Sequence, residues 1–264
     1  MTEWPMTEWS AELYRERSSL QQTMAAEVLQ ALELTSSHRV LDVGCGDGRI
    51  TSEIARRVPN SYVVGVDASS NMIELASRQI GPNLHFEVAD ARALPFNHEF
   101  DLVVSFNALH WIHEQDLALA SIHKSLEPGG SAHLRLVPMG ARKSIETVLE
   151  ETRNSPTWSK YFRDFRDPYL RLTEGEYCSL ARKSGFRIER VQTESRTWDF
   201  RTRAEFFAFS SVTMVEWTKR LPESLRAPFI NDVLNRYQAV AVEKEGEENT
   251  FKFYQITIVL KAVA

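Results

Sequence analysis

The chain has 264 residues, of which 43% are hydrophobic and 25% are charged. These values are typical of a globular protein with a buried core, and they exclude a disordered chain, a fibrous protein and a small disulfide scaffold. The 31 basic and 36 acidic residues give a net charge of −5, which does not indicate a nucleic acid or a membrane surface as partner.

The sequence has few features that indicate a cellular compartment. No segment approaches the roughly 18 consecutive apolar residues of a spanning helix, and the N-terminus lacks the basic start and apolar run of a secretory signal. The two cysteines, Cys45 and Cys178, stand far apart in the sequence. We therefore expect a reduced, cytoplasmic protein.

Strands and helices alternate along the first half of the chain. An apolar stripe through Leu20, Met24 and Val28 predicts an amphipathic helix over 18–34. Further helices are predicted at 49–57, 70–80 and 115–126, a turn at Glu127–Gly130, and strands at 39–43, 62–66, 84–88, 101–106 and 131–137. Such alternation favours a doubly wound parallel sheet with helices on both faces.

The alternation ends after residue 138. Residues 142–184 are predicted to be helical, with an aromatic-rich middle. Two more strands are predicted, Phe186–Thr193 and Thr250–Lys261, with a mostly helical stretch between them. An insertion that is this long and structured indicates a helical cap over a site.

The most informative segment is Val40–Gly48, VLDVGCGDG, between the first strand and its helix. Its three alternate glycines allow positive φ and let a ligand approach the backbone, while the following helix offers free amides. A dinucleotide site needs G-x-G-x-x-G, but Arg49 stands three residues after Gly46. Asp42 lies two residues before Gly44, where its carboxylate can accept hydrogen bonds from an ammonium group.

This segment resembles the nucleotide-binding loop of class I S-adenosylmethionine-dependent methyltransferases, which have a seven-stranded Rossmann-like fold. In that family an acidic residue after the second strand holds the ribose hydroxyls, and one after the third holds the adenine. The resemblance implies a donor site formed by Tyr14, Asp42, Gly44, Gly46, Asp67, Ala68, Asp90, Ala91 and Phe106. Taken singly, a glycine-rich turn occurs in many α/β proteins, and an acidic strand end is often only a helix cap.

Two further stretches are similar to the juvenile hormone acid and trans-aconitate methyltransferases, which methylate carboxylates. They are LYRERSSLQ at 13–21, preceded by Trp9, and FNALHWI at 106–112. The resemblance implies that Gln21 and Trp111 hold the acceptor carboxylate. A carboxylic acid with a pKa of about 4 to 5 is already ionised at pH 7, so its methylation needs positioning but no general base.

The implied organisation is one integrated domain. Residues 1–138 would form the donor-binding core with an N-terminal lid helix, and residues 139–264 would complete the sheet and carry the cap at about 142–184 and 197–249. Trp9 and Tyr14 would either cover the sulfonium by cation–π contact or only fix the lid.

Several roles stay open. His110 can be a structural histidine, a substrate contact, or a base for a phenol, an amine or a carbon acid. The aromatic stripe at Phe206, Phe207, Phe209, Met214 and Trp217 can be core or can line a pocket for a lipophilic acid. A polycarboxylate would instead need arginines, for which the sequence offers Arg163, Arg166 and Arg171.

The sequence also bears on turnover, metal binding and partners. A non-catalytic protein that only binds the donor is an alternative, since a fold alone does not prove turnover. No metal is expected, because no set of cysteines and histidines completes four ligands. The expected partner is a small carboxylic acid, and the sequence does not predict an oligomeric state.

Overall fold

Seven strands form one sheet in residues 19–263, the part of the chain that the computed structural model describes. The strands are β1 (Val40–Val43), β2 (Val63–Asp67), β3 (Leu84–Val88), β4 (Phe100–Phe106), β5 (Leu126–Leu136), β6 (Phe186–Asp199) and β7 (Thr250–Ala262). Their order is β3-β2-β1-β4-β5-β7-β6. Neighbours from β3 to β5 are parallel, and β7 is antiparallel to both β5 and β6. The predicted seven-stranded, mostly parallel sheet is confirmed.

Helices cover both faces of this sheet. They are α1 (Ser19–Ala31), α2 (Arg49–Arg57), α3 (Ser70–Ala76), α4 (Gln115–Ser125), α5 (Ile145–Arg153), α6 (Glu174–Lys183), α7 (Arg203–Thr213), α8 (Val215–Thr218) and α9 (Glu223–Ala241). Side chains alternate between the faces of a strand, so Leu41 and Val43 pack in the layer with α4 and α6. Val40 packs on the other side with α1 and α2. In the described residues no helix has the length and apolar character needed to cross a membrane.

A third apolar cluster forms the helical cap. It joins the start of α1 to α5, α7, α8 and α9, and it includes Phe251 and Phe253 at the start of β7. Because β7 belongs to both the cap and the sheet, the cap packs against the sheet through a shared strand. The division of the chain near residue 138 stays a prediction.

The predicted turn at Glu127–Gly130 is wrong, since β5 already begins at Leu126. Leu126 pairs with Phe100, and the register shifts before Ser131 pairs with Leu102. Gly129 has a φ of 76° within this irregular stretch. The glycines thus form a bulge inside a strand, where the sequence resembles a turn.

The helical prediction for 142–184 is also wrong in its middle. Beyond α5, this stretch has one short 3₁₀ turn at Ser159–Tyr161 before α6 begins. Pro156 and Pro168 lie between the two helices and disfavour helical backbone at the residues before them. β6 runs to Asp199, six residues past its predicted end at Thr193, because it pairs with β7 along its whole length. The sequence of this extension is polar, so its composition does not predict a strand.

Candidate functional site

The loop after β1 has the backbone that its glycines predict. Gly44, Gly46 and Gly48 have φ values of 78°, 55° and 75°. The amides of Gly44 and Cys45 donate to the Val66 carbonyl at 2.8 and 2.9 Å, which holds the loop against the end of β2. A Cβ on Gly44 would lie 2.2 Å from the Cβ of Ala108. Gly44 therefore permits the close approach of the loop to the segment after β4.

Gly46 borders open space. Its amide donates to Asp67 Oδ2 at 3.0 Å, and no heavy atom of another described residue lies within 4 Å of the position that a Cβ would take. The described residues leave the volume beside this backbone open, so a ligand can approach it closely.

Two carboxylates flank this loop. Asp42 is buried at 2% exposure and accepts a hydrogen bond from Thr51 Oγ1 at 2.7 Å. Burial raises the pKa of Asp42 to about 7, against the opposing effect of the Thr51 hydrogen bond and with a further contribution from the charge of Asp67. A cationic ligand would favour the ionised form of Asp42, so the loop suits the positive charges of the expected donor.

The acidic residues after β2 and β3 occupy neighbouring strand ends. Asp67 accepts hydrogen bonds from the amides of Gly46 and Ser69, and a carboxylate is also an acceptor for hydroxyl donors. Ala68 follows it and is partly exposed. Asp90 caps a short 3₁₀ turn, and Arg92 binds its carboxylate, with its Nη2 2.6 Å from Asp90 Oδ2. Burial raises the pKa of Asp90, but the hydrogen bonds and the positive charge of Arg92 together outweigh burial. The net shift of the pKa is therefore downward.

Ala91, which follows Asp90, is buried against the core between β4 and α4. The structure thus brings Asp42, Gly44, Gly46, Asp67 and the segment at 90–91 to one edge of the sheet. That edge carries the carboxyl ends of parallel strands, where open α/β sheets bind ligands.

A cavity of about 120 Å³ lies between the segment after β4 and the cap. It is small beside the roughly 300–1,000 Å³ of many ligand pockets, and its wall is mainly apolar. The described residues that line it are Leu20, Met24, Asn107, His110, Trp111, Val137, Ile145, Glu146, Leu149, Tyr169, Arg171, Phe209, Thr213, Met214, Phe251 and Phe253.

His110 lies in this wall and is 5% exposed. Burial lowers the pKa of His110 to about 3, with a smaller contribution from the positive charge of Arg171. Its Nδ1 has no hydrogen-bond partner among the described residues. The imidazole is therefore neutral at physiological pH.

Trp111 lies next to His110 in the same wall, and its ring centroid is 4.2 Å from that of Tyr169. Gln21 belongs to α1, whose Leu20 and Met24 line the cavity, but its side chain lies outside the described part of the structure. Trp9 and Tyr14 also lie outside the described residues.

Of the three arginines considered for a polycarboxylate, only Arg171 lines the described wall of the cavity. Arg163 and Arg166 are exposed, and Arg166 Nη2 lies 2.8 Å from His113 Nδ1. The aromatic stripe divides as well. Phe209 and Met214 face the cavity, whereas Phe206 and Trp217 are almost fully buried in the cap.

Phe106 ends β4 and lines a different, larger cleft of about 810 Å³ along the second half of α1. In this cleft the carboxylate of Glu27 in α1 accepts hydrogen bonds from Arg135 Nη2 at 3.1 Å and from Arg196 Nη2 at 2.6 Å. The hydrogen bond from Arg196 contributes most to lowering the pKa of Glu27 to about 2. These ion pairs hold α1 against the sheet, and Leu20 and Met24 of the same helix line the cavity of about 120 Å³.

Two cavity residues, Asn107 and Glu146, were assigned no role from the sequence, although Asn107 lies in the stretch FNALHWI at 106–112. Asn107 has a φ of 56°, a left-handed conformation that asparagine tolerates better than most residues. Its place directly after β4 was the available signal. Glu146 lies in the first turn of α5, and its contact with Arg171 depends on a tertiary approach that no local pattern reveals.

Both cysteines are free and buried. Within residues 19–263, no group of three or more histidine, cysteine, aspartate or glutamate side chains is placed to hold a metal ion.

Comparison with known proteins shows what this chain is similar to. Residues 40–130 match the family model described as a methyltransferase domain. The trans-aconitate 2-methyltransferase of Variovorax paradoxus is 26% identical over 254 residues, which cover 92% of this chain and 94% of the relative. The juvenile hormone acid O-methyltransferase of Bombyx mori is 29% identical over 202 residues, covering 70% and 72%.

The fold has solved counterparts too. Geranyl diphosphate methyltransferase in complex with SAM superposes with a TM-score of 0.59 at 16% identity, over 96% of this chain and 90% of that one. Residues 40–130, which contain the glycine loop and the acidic strand ends, match a methyltransferase domain, and most of the chain is similar to the trans-aconitate and juvenile hormone acid methyltransferases.

Proposed function

We propose that this methyltransferase forms a methyl ester on the carboxylate of a small, lipophilic acid. The observation that carries the proposal is the buried, neutral His110 in a mainly apolar cavity next to the donor edge of the sheet. A general base works best with a pKa near the working pH, and a pKa of about 3 is too low for that role. A carboxylate needs no base.

The donor site suits S-adenosylmethionine, which supplies an electrophilic methyl group on a positively charged sulfur. Asp42 and Asp67 provide negative charge beside the open backbone of Gly46. Asp67 would accept hydrogen bonds from the ribose hydroxyls, and Asp90 and Ala91 would contact the adenine. Tyr14, Ala68 and Phe106 complete the proposed donor contacts by the family resemblance.

The acceptor residues act by positioning. Trp111 and Gln21 would donate hydrogen bonds to the acceptor carboxylate and align one of its oxygens with the methyl carbon. That oxygen forms the new bond, the bond from carbon to sulfur breaks with its electron pair going to sulfur, and no proton moves. The apolar wall would receive the body of the acid and exclude water.

A product screen tests the proposal. The purified chain is incubated with methyl-labelled S-adenosylmethionine and with compounds in which one small apolar body carries a carboxyl, a phenol or an amine. We expect label only from the acid, in a product that mild alkali hydrolyses completely to labelled methanol. A base-stable ether or N-methyl product would contradict ester formation and favour His110 as a base. Donor binding without any product would indicate a non-catalytic protein.

A further inference from the structure

The cavity of about 120 Å³, here called the acceptor cavity, has one ion pair among the described residues that line it. Among the described residues that line it, Arg171 and Glu146 are the charged ones. Their side chains are 12% and 13% exposed, and Arg171 Nη1 lies 3.1 Å from Glu146 Oε2. Ser144, the N-cap of α5, accepts a second hydrogen bond from the same nitrogen. Two elements of the cap thus hold the pair in a fixed position.

The pair leaves donors available. A guanidinium has five N–H groups, and here only Nη1 donates to described residues, while Nε and Nη2 have no such partner. An oxyanion in the cavity can therefore reach Arg171 while its contact with Glu146 persists. The neutral His110 beside it supplies another polar group and no charge.

The charges limit what the cavity can hold. The carboxylate of Glu146 cancels the charge of Arg171, so the described wall is neutral overall. One acceptor carboxylate is then balanced by the sulfonium of the donor. A second carboxylate on the acceptor would bring uncompensated negative charge close to Glu146 in an apolar surrounding, which is unfavourable.

We infer that Arg171 and Glu146 are the specificity-determining residues of the acceptor cavity, and that they select acids with a single negative charge over polycarboxylates. This inference rests on the proposed carboxyl methylation. Arg171 attracts the anion, and Glu146 excludes a second one.

Acids built on the same four-carbon chain test the inference in the unchanged enzyme. Butanoate, succinate and monomethyl succinate are compared at pH 7.5 by kcat/KM, since monomethyl succinate has the succinate skeleton with one charge removed. We expect both monoanions to exceed succinate by about tenfold or more. Succinate equal to or better than monomethyl succinate would overturn the inference. If no acid is methylated, the proposed function itself fails.

The variant Glu146→Gln provides a second test of the inference. It preserves the size of the side chain and retains Arg171 while removing the negative charge. We expect the preference for monomethyl succinate over succinate to fall by about tenfold, with the Kd of the donor unchanged. The control is Glu151→Gln, an exposed ion-paired glutamate on the same helix that does not line the cavity. An unchanged preference in a folded, donor-binding Glu146→Gln enzyme would refute the role of Glu146 while leaving ester formation intact.

Discussion

Replacing Trp111 by phenylalanine is expected to lower kcat/KM for the acid by about one to three orders of magnitude. Phenylalanine retains an aromatic ring for contact with Tyr169 but lacks the indole N–H that would position the carboxylate. Gln21→Ala should produce a loss of the same order, because it removes the second proposed donor. The Kd of S-adenosylmethionine should hardly change in either variant, since both residues serve the acceptor.

Trp158→Phe is the matched control. The indole of Trp158 donates to Asp232 Oδ2 at 2.8 Å, so this substitution also removes a hydrogen bond from the cap. Trp158 does not line the described cavity, and its loss should lower stability and leave kcat/KM nearly unchanged. Unchanged kinetics in both Trp111→Phe and Gln21→Ala would contradict the proposed acceptor contacts and indicate that other residues of the cap hold the carboxylate.

Replacing Gly46 by alanine is expected to raise the Kd of S-adenosylmethionine by about tenfold to a hundredfold. The open space beside Gly46 is where the donor would approach the backbone, and a methyl group there would compete with it. Positive φ also strains alanine, by about 1–2 kcal/mol, but this strain acts on stability. Calorimetric titration measures the first effect and urea unfolding the second.

Gly246→Ala separates the effect of backbone strain from the effect of filling the space where the donor would bind. Gly246 has a φ of 91° and lies between α9 and β7, and no atom of another described residue lies within 4 Å of its Cβ position. Its substitution should cost similar stability and leave the Kd of the donor unchanged. Equal donor affinity in the two variants would contradict the placement of the donor beside Gly46.

The glycine loop and the acidic strand ends could be predicted from the sequence because their signals are local. The glycines after β1 have the positive φ that their residue type permits, and Asp67 and Asp90 follow buried strands whose ends are marked by composition. Parallel pairing then brings these positions together without further information. Periodicity also predicted α1, α2 and α4 to within a few residues.

The acceptor side depends on contacts between distant segments, which local patterns do not encode. Arg171 was one of three equivalent arginines in the sequence, and only the packing of α5 places it against Glu146 in the cavity. The burial that lowers the pKa of His110 is likewise a tertiary property. The extension of β6 to Asp199 was missed because pairing with β7 outweighs its polar composition.

In the proposed reaction the methyl group moves to an acceptor that is already ionised, with no protein base. The titratable groups lining the described cavity are His110, Glu146, Tyr169 and Arg171, and the pKa of His110 is about 3. Asp42, whose pKa is about 7, belongs to the donor loop, so saturating donor is needed to keep its ionisation out of the rate.

The pH dependence of kcat for ester formation, measured at saturating donor, tests this claim most directly. We predict a flat profile from about pH 6 to 8.5, in the intact enzyme and in His110→Asn alike, because the acceptor is ionised and His110 is neutral throughout this range. A rate that falls tenfold per unit below about pH 6.5, and that loses this dependence in His110→Asn, would contradict the claim and identify His110 as a general base.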